Sequence, residues 1–377
     1  MRITLLFLFF LFMQSIFAQQ SVSGSFVLED STRTYTIYIP QVYLDNPSTE
    51  VPLLLNLHGY GSVNWQQMFY GDFRPIADVE NFIVCHPNGT VDATGSRFWN
   101  VGFTNSTIDD VSFLSALIDT ISTKYNIDTD KVFSTGMSNG GFMSYKLACE
   151  LPNKIKAVAS VTGSMTPSQY NNCPNMNAIP AMQIHGTADP TVPYTGNATM
   201  KPIEQVVGFW VKQNGCDSVA TETAVPNHNT ADNSTAIRYD FNTNCSNETS
   251  VVFYKVDNGG HTWPGTSVII PGAVTNLDFD ASAVIWKFFY PQSKYTSIDP
   301  VLQEPEIKVY PNPSKKHFTL KLKDEEKLID FKMYSQTGKL VLESDKLFYN
   351  IEALNTGIYY LKIKTDKTVY AKQILKL

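Results

Sequence analysis

Residues Lys131–Leu147, KVFSTGMSNGGFMSYKL, decide the fold, because they read as a strand that turns at once into a helix. A short apolar run leads into Gly136-Met137-Ser138-Asn139-Gly140, and a helical pattern follows. A turn this sharp strains the residue at its tip, and flanking glycines let the two backbones pass closely. The pattern predicts that Ser138 projects its hydroxyl from the carboxyl end of a strand as a nucleophile. The amide of Asn139 would then face any anion that forms there.

Strand-like and helical patterns alternate on both sides of this stretch. The predicted strands are Val51–Leu57, Phe82–Cys85, Ala157–Val161, Ala181–His185, Ala236–Phe241 and Val251–Val256, and the predicted helices are Asn64–Asn81, Asp109–Tyr125, Met200–Gln213 and Ala281–Phe289. Ser25–Pro40 alternates in the β manner, which predicts an antiparallel pair at the sheet edge. We therefore expect an α/β fold, a mainly parallel sheet with helices on both faces and its site at the carboxyl ends of the strands.

The 377-residue chain is long enough for one large and one small domain. Residues 1–18 carry one early charge and then an apolar run that ends in Ser15-Ile16-Phe17-Ala18, which predicts a secretory signal peptide. We expect a catalytic domain at 19–291, a polar linker at 292–304 and a small all-β, sandwich-like domain at 305–377. The exported protein would lie outside the cell or on its surface, and no later segment predicts a membrane helix.

The net charge of −6 is unevenly spread. Residues 305–377 hold 14 Lys and 9 acidic residues, a net +5, so the remainder holds 15 basic and 26 acidic residues, a net −11. The acidic main body argues against nucleic acid and anionic membranes as partners. The contrast between the two parts also supports a domain boundary near residue 305.

Five cysteines fit an exported protein. Four of them allow three pairings, and nearness along the chain is the only guide to the choice. On that basis we predict the disulfides Cys149–Cys173 and Cys216–Cys245, and Cys85 as a buried strand thiol. No Cys/His spacing predicts a metal site, and the sequence implies no cofactor.

A serine hydroxyl becomes a good nucleophile when an imidazole takes its proton and a carboxylate orients that imidazole. Asp189 follows the predicted strand Ala181–His185 and precedes a proline-stiffened turn. His261 follows the strand Val251–Val256 in a glycine-containing loop. The order Ser138, Asp189, His261 is that of α/β hydrolases. Asp257 is the rival acid, but it precedes His261 by only four residues and is expected to close its strand.

A glycine loop, His58-Gly59-Tyr60-Gly61, follows the early buried strand. We expect the backbone amide of Tyr60 to be the second oxyanion donor, beside that of Asn139. Tyr60, Trp99 and Trp263 are candidate substrate contacts that would line a pocket for an aromatic or apolar acyl group. The alternative is that the tryptophans only pack in the core.

The chain resembles the polyhydroxybutyrate depolymerase and feruloyl esterase group of α/β hydrolases, which are similar to carbohydrate esterase family 1. The motifs that carry the resemblance are Leu57-His58-Gly59, the segment from Asp109 through Gly136-Met137-Ser138-Asn139-Gly140-Gly141 to Glu150, the run from His185 to Tyr194 that contains Asp189, and Gly259-Gly260-His261-Thr262-Trp263-Pro264-Gly265. The resemblance covers roughly residues 30–290, and several separate motifs agree with one another. It implies Ser138, Asp189 and His261 as the triad.

Residues 305–377 resemble the C-terminal sorting domain of type IX secretion, through Val309-Tyr310-Pro311-Asn312-Pro313, Gly357-Ile358-Tyr359-Tyr360-Leu361 and the basic end. This resemblance implies the type IX machinery as a partner, export through the outer membrane, and removal of the domain or its exchange for a surface anchor. A carbohydrate-binding or adhesive β-module is the alternative.

These observations predict a secreted serine esterase that works through an acyl-enzyme. Its substrates would be hydroxycinnamoyl or acetyl esters on plant polysaccharide, or polyhydroxyalkanoate chains. The alternatives are an α/β-hydrolase peptidase and a non-catalytic surface binder on the same fold.

Overall fold

The computed structural model describes residues 21–28, 31–103, 106–174, 177–266, 268, 270, 272–295, 307–323, 326–335, 340–366 and 369–377. The predicted signal peptide and most of the predicted linker lie outside these residues. The helices are α1 Gln41–Asp45, α2 Asn64–Tyr70, α3 Arg74–Glu80, α4 Asp110–Ser122, α5 Asn139–Glu150, α6 Pro167–Asn171, α7 Ile203–Gln213 and α8 Ala281–Phe289.

The strands up to residue 257 are β1 Ser21–Leu28, β2 Ser31–Tyr38, β3 Val51–Leu57, β4 Ile83–Pro87, β5 Thr90–Val91, β6 Arg97–Phe98, β7 Ile127–Met137, β8 Ala157–Val161, β9 Ala181–Gly186, β10 Thr221–Ala224, β11 Thr235–Phe241 and β12 Val251–Asp257. All but β5 and β6 form one sheet in the order β1-β2-β4-β3-β7-β8-β9-β12-β11-β10. The strands from β4 to β12 in that order are parallel, and antiparallel strands flank them at both ends. The predicted antiparallel pair at the sheet edge is confirmed.

Strand β3, VPLLLNL, is buried at every position, which is typical of a central parallel strand covered on both faces. Its alternate residues enter different apolar cores, since Leu53 and Leu55 pack in one core and Leu54 in the other. Helices α4, α5 and α7 contribute to the first core, and α3 and α8 to the second. The predicted α/β architecture, with helices on both faces of the sheet, is confirmed.

The single helix predicted over 64–81 is wrong, because the chain breaks between α2 and α3. Gly71 passes so close to Trp263 that a Cβ at this position would lie 2.7 Å from the indole ring. The side chain of Asp72 then accepts a hydrogen bond of 2.9 Å from the amide of Arg74, at the start of α3. A close approach that requires glycine, followed by a polar cap, ends one helix and begins the next.

The strands of the C-terminal part are β13 Lys308–Tyr310, β14 His317–Lys321, β15 Leu328–Ser335, β16 Leu340–Ser344, β17 Phe348–Asn350, β18 Gly357–Thr365 and β19 Val369–Lys376. They form a three-stranded sheet, β13-β14-β17, and a four-stranded sheet, β16-β15-β18-β19. Apolar side chains that include Phe318, Phe331 and Leu361 make a separate core. The predicted all-β character of this part is confirmed.

Both predicted disulfides are confirmed. Cys149–Cys173 ties the end of α5 to the segment after α6, and Cys216–Cys245 ties the segment after α7 to the segment after β11. Cys85 is a free buried thiol in β4, as predicted, and burial raises its pKa. In the part of the chain that the structure describes, no helix is both long and apolar enough to cross a membrane.

Candidate active site

Ser138 stands at the tip of a strained turn between β7 and α5. Its backbone has φ 55° and ψ −121°, a conformation that costs a non-glycine residue about 1–3 kcal/mol. Its amide donates to the carbonyl of Val161 on β8 at 2.8 Å, which fixes the turn against the sheet. A Cβ on Gly136 or Gly140 would lie 2.5 or 2.2 Å from the carbonyl oxygen of Leu57. Only glycine therefore permits this close packing of the turn against β3.

Asp189 and His261 are joined directly. Oδ2 of Asp189 lies 2.7 Å from Nδ1 of His261, and its Oδ1 accepts from the amides of Thr191 and Val192 at 2.8 and 2.9 Å. One carboxylate oxygen thus anchors the turn while the other orients the imidazole. Burial raises the pKa of Asp189, but the hydrogen bond and charge of His261 outweigh burial and bring that pKa below its usual value. The carboxylate is held ionised.

The order of the strands brings the three predicted triad residues to one edge of the sheet. Strands β7, β8, β9 and β12 are consecutive neighbours, and Ser138, Asp189 and His261 follow β7, β9 and β12. Between these described side chains, Ser138 and His261 do not form a hydrogen bond. The structure therefore couples the acid to the imidazole and places the serine at the same edge without a hydrogen bond to the imidazole. The rival acid, Asp257, instead lies 3.3 Å from the hydroxyl of Thr187.

The loop after β3 approaches Ser138 from the other side. A Cβ on Gly59 would lie 3.4 Å from Cβ of Ser138, so this backbone borders the serine. The amide of Gly61 donates to Arg97 at 2.8 Å and that of Ser62 to Gly59 at 3.1 Å. The amides of Gly61 and Ser62 are thus used inside the protein, which leaves the amide of Tyr60 as a better candidate donor than either of them.

The Tyr60 side chain is held at the surface by Asp92. It is 56% exposed, and its hydroxyl donates to Oδ2 of Asp92 at 2.6 Å. The predicted contact of this ring with substrate stays a prediction. The hydrogen bond tethers the loop that carries the Tyr60 amide.

The His58 side chain holds the loop that follows β3 in place. Its buried ring donates from Nδ1 to the carbonyl of Gly59 at 2.7 Å, and its Nε2 accepts from the amide of Gly89 at 2.9 Å. Burial lowers the pKa of His58 to about 4, so the ring is neutral at neutral pH. The indole of Trp99 donates to the carbonyl of His58 at 2.9 Å and completes the support. These contacts give His58 a structural role in the loop.

The side chain of Asn139 has a role that the sequence did not indicate. Its Oδ1 accepts from the amide of Trp99 at 2.7 Å, and its Nδ2 donates to the carbonyl of Trp99 at 3.0 Å. This two-way pairing joins the first turn of α5 to the loop after β6. The turn at Ser138, the loop at Gly59 and the loop at Trp99 are thus linked by hydrogen bonds.

The two candidate tryptophans are buried, each at 1% exposure. Trp99 lies against the His58 ring, with centroids 5.0 Å apart. Trp263 donates to the hydroxyl of Ser282 at 3.2 Å and makes an edge-to-face contact with Phe73. Their contact with substrate stays a prediction, and both rings make packing contacts inside the protein.

A second histidine, His185, lies close to Asp189. Nε2 of His185 is 2.9 Å from the carbonyl of Val192 and 3.5 Å from Oδ2 of Asp189. Burial lowers the pKa of His185 to about 4, so the ring is neutral beside the carboxylate at neutral pH. The His-Gly pair at the end of β9 is the sequence signal for it. Within the described ranges, no group of three or more His, Cys, Asp or Glu side chains is arranged to hold a metal ion.

Two family profiles match the chain. The one described as Phospholipase/Carboxylesterase matches residues 45–219 and contains the positions of Ser138 and Asp189. The one described as Secretion system C-terminal sorting domain matches residues 308–376, which confirms the sorting domain of type IX secretion predicted from the sequence.

Curated relatives include feruloyl esterase C of Emericella nidulans, 30% identical over 264 residues that cover 68% of this chain and 83% of that protein. A bifunctional acetylxylan esterase/xylanase of Neocallimastix patriciarum is 30% identical over 234 residues, and the match covers 61% of this chain but only 31% of that protein. Among solved structures, an acetyl xylan esterase from Aspergillus awamori aligns with a TM-score of 0.47 and 16% identity, over 64% of this chain and 94% of that one.

Proposed function

Because the chain belongs to the α/β-hydrolase family of these feruloyl esterases, we propose that it is a secreted serine carboxylesterase. The proposal rests above all on the 2.7 Å contact between Asp189 and His261, at the sheet edge that also carries the strained Ser138. A buried carboxylate on Nδ1 keeps the proton on that nitrogen, which leaves Nε2 free to act as the base.

In the proposed reaction, Nε2 of His261 takes the proton of Ser138, whose Oγ attacks the ester carbonyl carbon. The carbonyl oxygen becomes an oxyanion that accepts hydrogen bonds from the amides of Tyr60 and Asn139. When the tetrahedral intermediate collapses, the bond to the leaving oxygen breaks and His261 protonates the alcohol. Water, deprotonated by His261, then attacks the acyl-enzyme and releases the acid and free Ser138.

The absence of a hydrogen bond between the described side chains of Ser138 and His261 is compatible with this sequence of steps. Catalytic hydrogen bonds are often long before substrate binds and shorten in the complex. Only the Ser138 side chain needs to rotate, because the backbone is already held by the hydrogen bond that its amide donates to Val161 of β8. His261 cannot drift away, since Asp189 holds its other nitrogen.

The amides proposed for the oxyanion are held before substrate arrives. Asn139 begins α5, where the backbone amides are not used within the helix and the helix dipole favours negative charge. The Tyr60 loop is fixed by His58, by Trp99 and by the tether from Tyr60 to Asp92. Preorganised donors of this kind each contribute about a hundredfold or more to rate.

We propose hydroxycinnamoyl or acetyl esters of plant polysaccharide as substrates. The support is the relatives, which are named as feruloyl and acetylxylan esterases. Polyhydroxyalkanoate, which the motifs also allow, is the competing substrate. Assays on methyl ferulate and on a polyhydroxybutyrate film separate the two.

We place the signal peptide at 1–18, the catalytic domain at 19–291, the linker at 292–304 and the sorting domain at 305–377. The sorting profile supports the last boundary, since it begins at residue 308. Intact mass of the protein recovered from the medium and from the cell surface of its host would locate both processed ends. A mature protein that still contains residues 1–18 would contradict the signal peptide.

The test uses the purified protein on methyl ferulate, a p-nitrophenyl acetate and a polyhydroxybutyrate film. Ser138→Ala should abolish turnover, and Ser168→Ala, at an exposed serine of α6, is the matched control. Asp189→Asn should lower kcat by a factor of about 100 to 10,000, because the imidazole loses the carboxylate that orients it. Turnover that survives Ser138→Ala would overturn the mechanism, and film clearing without ferulate release would replace the substrate. A folded protein that hydrolyses none of the three esters would favour the alternative of a non-catalytic surface-binding protein.

A further inference from the structure

A groove runs along the outer face of the sheet, between helix α7 and strands β12 and β11. Its cavity volume is about 680 Å³, within the range of roughly 300–1,000 Å³ that ligand sites occupy. Val207 and Val211 of α7 form one wall, and Phe253, Tyr239 and Phe241 form the floor. We call this feature the α7 groove. None of the residues that we assign to the reaction lines it.

Three aromatic rings, those of Tyr194, Phe253 and Tyr239, lie in a row, and the last two line the α7 groove. The rings of Tyr194 and Phe253 have centroids 6.5 Å apart and planes 26° apart, and those of Phe253 and Tyr239 are 5.8 Å and 23° apart. Tyr239 is directly opposite Phe253 in the pairing of β11 with β12. Tyr239 and Phe241 are half-buried, so parts of this apolar platform face the groove.

The rim of the groove is charged but balanced. Glu204 and Asp217 carry negative charge, while Lys212 and Lys255 carry positive charge. Lys255 Nζ lies 3.5 Å from a carboxylate oxygen of Glu204, so part of this charge is already paired. A charged ligand would gain no net attraction here. A neutral ligand rich in hydroxyl groups would find both donors and acceptors on the rim and apolar rings below it.

Gly208 keeps the groove open. It lies inside α7, where glycine is the poorest helix former apart from proline, and it lines the groove. A Cβ built on Gly208 meets no atom within 4 Å, so packing inside this chain does not require glycine at this position. A ligand in the groove would require it, because any side chain on Gly208 would occupy that space.

The groove adjoins the turn that carries Asp189. The hydroxyl of Tyr194 donates to Glu204 at 2.8 Å, where the rim meets the loop after β9. The ring of Tyr194 lies 6.3 Å from that of His185, which contacts the turn of Asp189. The end of the groove at Glu204 is therefore linked by side-chain contacts to the loop that carries Asp189.

We propose that the α7 groove binds a segment of neutral polysaccharide, the backbone of the polymer whose ester groups the active site cleaves. Sugar rings combine flat apolar faces with hydroxyl edges, and they match a platform of aromatic rings within a rim of balanced charge. The identity of the polymer rests on the proposed function, but the groove and its contacts do not.

The test measures binding and turnover separately. Retention by soluble arabinoxylan is measured by affinity electrophoresis in a Ser138→Ala background, and turnover of methyl ferulate is measured in the active protein. Gly208→Phe fills the groove without removing any contact, and Tyr239→Ala removes one ring of the platform. Gln205→Phe places the same ring at an exposed position of α7 outside the groove and is the matched control.

We expect Gly208→Phe and Tyr239→Ala each to weaken retention by about tenfold, with Gln205→Phe unchanged. Turnover of methyl ferulate should stay within about twofold of the parent in all three, because this small ester reaches only the active site. Retention that is unaffected by Gly208→Phe, or absent in the parent, would overturn the inference. If the parent is inactive on every ester but its retention still depends on the groove, the proposed function is contradicted and the proposed binding groove is supported.

Discussion

Mild acid should destabilise the catalytic domain, because three histidines are buried as neutral rings. Burial lowers the pKa of His58 and of His185 to about 4, and that of His86 to about 3. In the unfolded chain each ring returns to its ordinary pKa of about 6.5. The unfolded state therefore binds more protons below that pH, and stability must fall as the pH drops towards the folded-state values. In His58, a proton on Nε2 would face the amide of Gly89, which is itself a donor.

The size of the effect follows from these pKa values. Between about pH 7.5 and about pH 5, each ring removes about 2 kcal/mol, from 1.5 units at about 1.36 kcal/mol per unit, and the three together remove about 6 kcal/mol. Asp280 acts in the opposite direction, since burial raises its pKa to about 6 and the folded state takes up its proton first. Its contribution is about 1.4 kcal/mol, and Asp110, whose pKa burial also raises, acts in the same direction, so the net loss is at most about 5 kcal/mol. Many domains have little more stability than that.

Urea unfolding followed by tryptophan fluorescence at the two pH values measures this loss. The 5 Trp all lie between residues 65 and 286, and only the Trp65 ring, 4.8 Å from that of Tyr334, also touches the C-terminal part among the ring contacts of the described residues, so the signal reports mainly the catalytic part. His86→Gln should shrink the difference between the two pH values by about 2 kcal/mol. His317→Gln, at an exposed position of the C-terminal part, should leave it unchanged. Equal stability at both pH values would refute the reasoning that these rings are neutral and buried.

Three further changes test the scaffold by urea unfolding. Gly140→Ala would place a Cβ 2.2 Å from the carbonyl oxygen of Leu57 in β3, so it should lower the free energy of unfolding by about 3 kcal/mol and remove most of the esterase activity. An unchanged unfolding midpoint would show that the turn can shift to accommodate the methyl group. Asp110→Asn removes the charged partner of the buried Arg33 and should lower the free energy of unfolding by about 3–5 kcal/mol. Asp119→Asn, which removes the partner of Lys154 in an exposed ion pair, should cost less than about 1 kcal/mol, and equal losses would contradict this. Replacing both Cys216 and Cys245 by Ser, across a separation of 29 residues, should cost about 3.5 kcal/mol, and an unchanged unfolding midpoint would contradict this.

Those parts of the fold that depend on local pattern were predictable from the sequence. The amphipathic face of α4 identifies a helix because burial of one face imposes a period on the sequence, whereas β3 is marked by a short, continuous apolar run that suits a strand covered on both faces. The turn at Ser138 was predictable for a different reason, since the glycines around it are required by backbone contacts with β3. Asp189 and His261 followed from their positions after strands, because the carboxyl ends of neighbouring parallel strands meet at one edge.

The features that the sequence did not predict depend on distant residues. The break between α2 and α3 occurs because Trp263, far along the chain, fills the space where a Cβ of Gly71 would lie. The burial of Trp99 and Trp263 depends on which side of a loop faces the core, and no local period encodes that choice. The floor of the α7 groove is likewise formed only when β11 pairs with β12 and α7 packs beside them.

Asn139 and Tyr60 show why a residue's place in a motif can be predicted while the task of its side chain cannot. We propose that each contributes its backbone amide to the oxyanion, and any residue there supplies an amide. Their side chains do separate work, since Asn139 pairs with the backbone of Trp99 and Tyr60 is tethered to Asp92. Substituting either side chain keeps the donor but loosens the loop that aims it. A fall in kcat in Asn139→Ala would therefore measure the positioning of the amides, and a further variant that displaces the backbone itself would be needed to measure the donors.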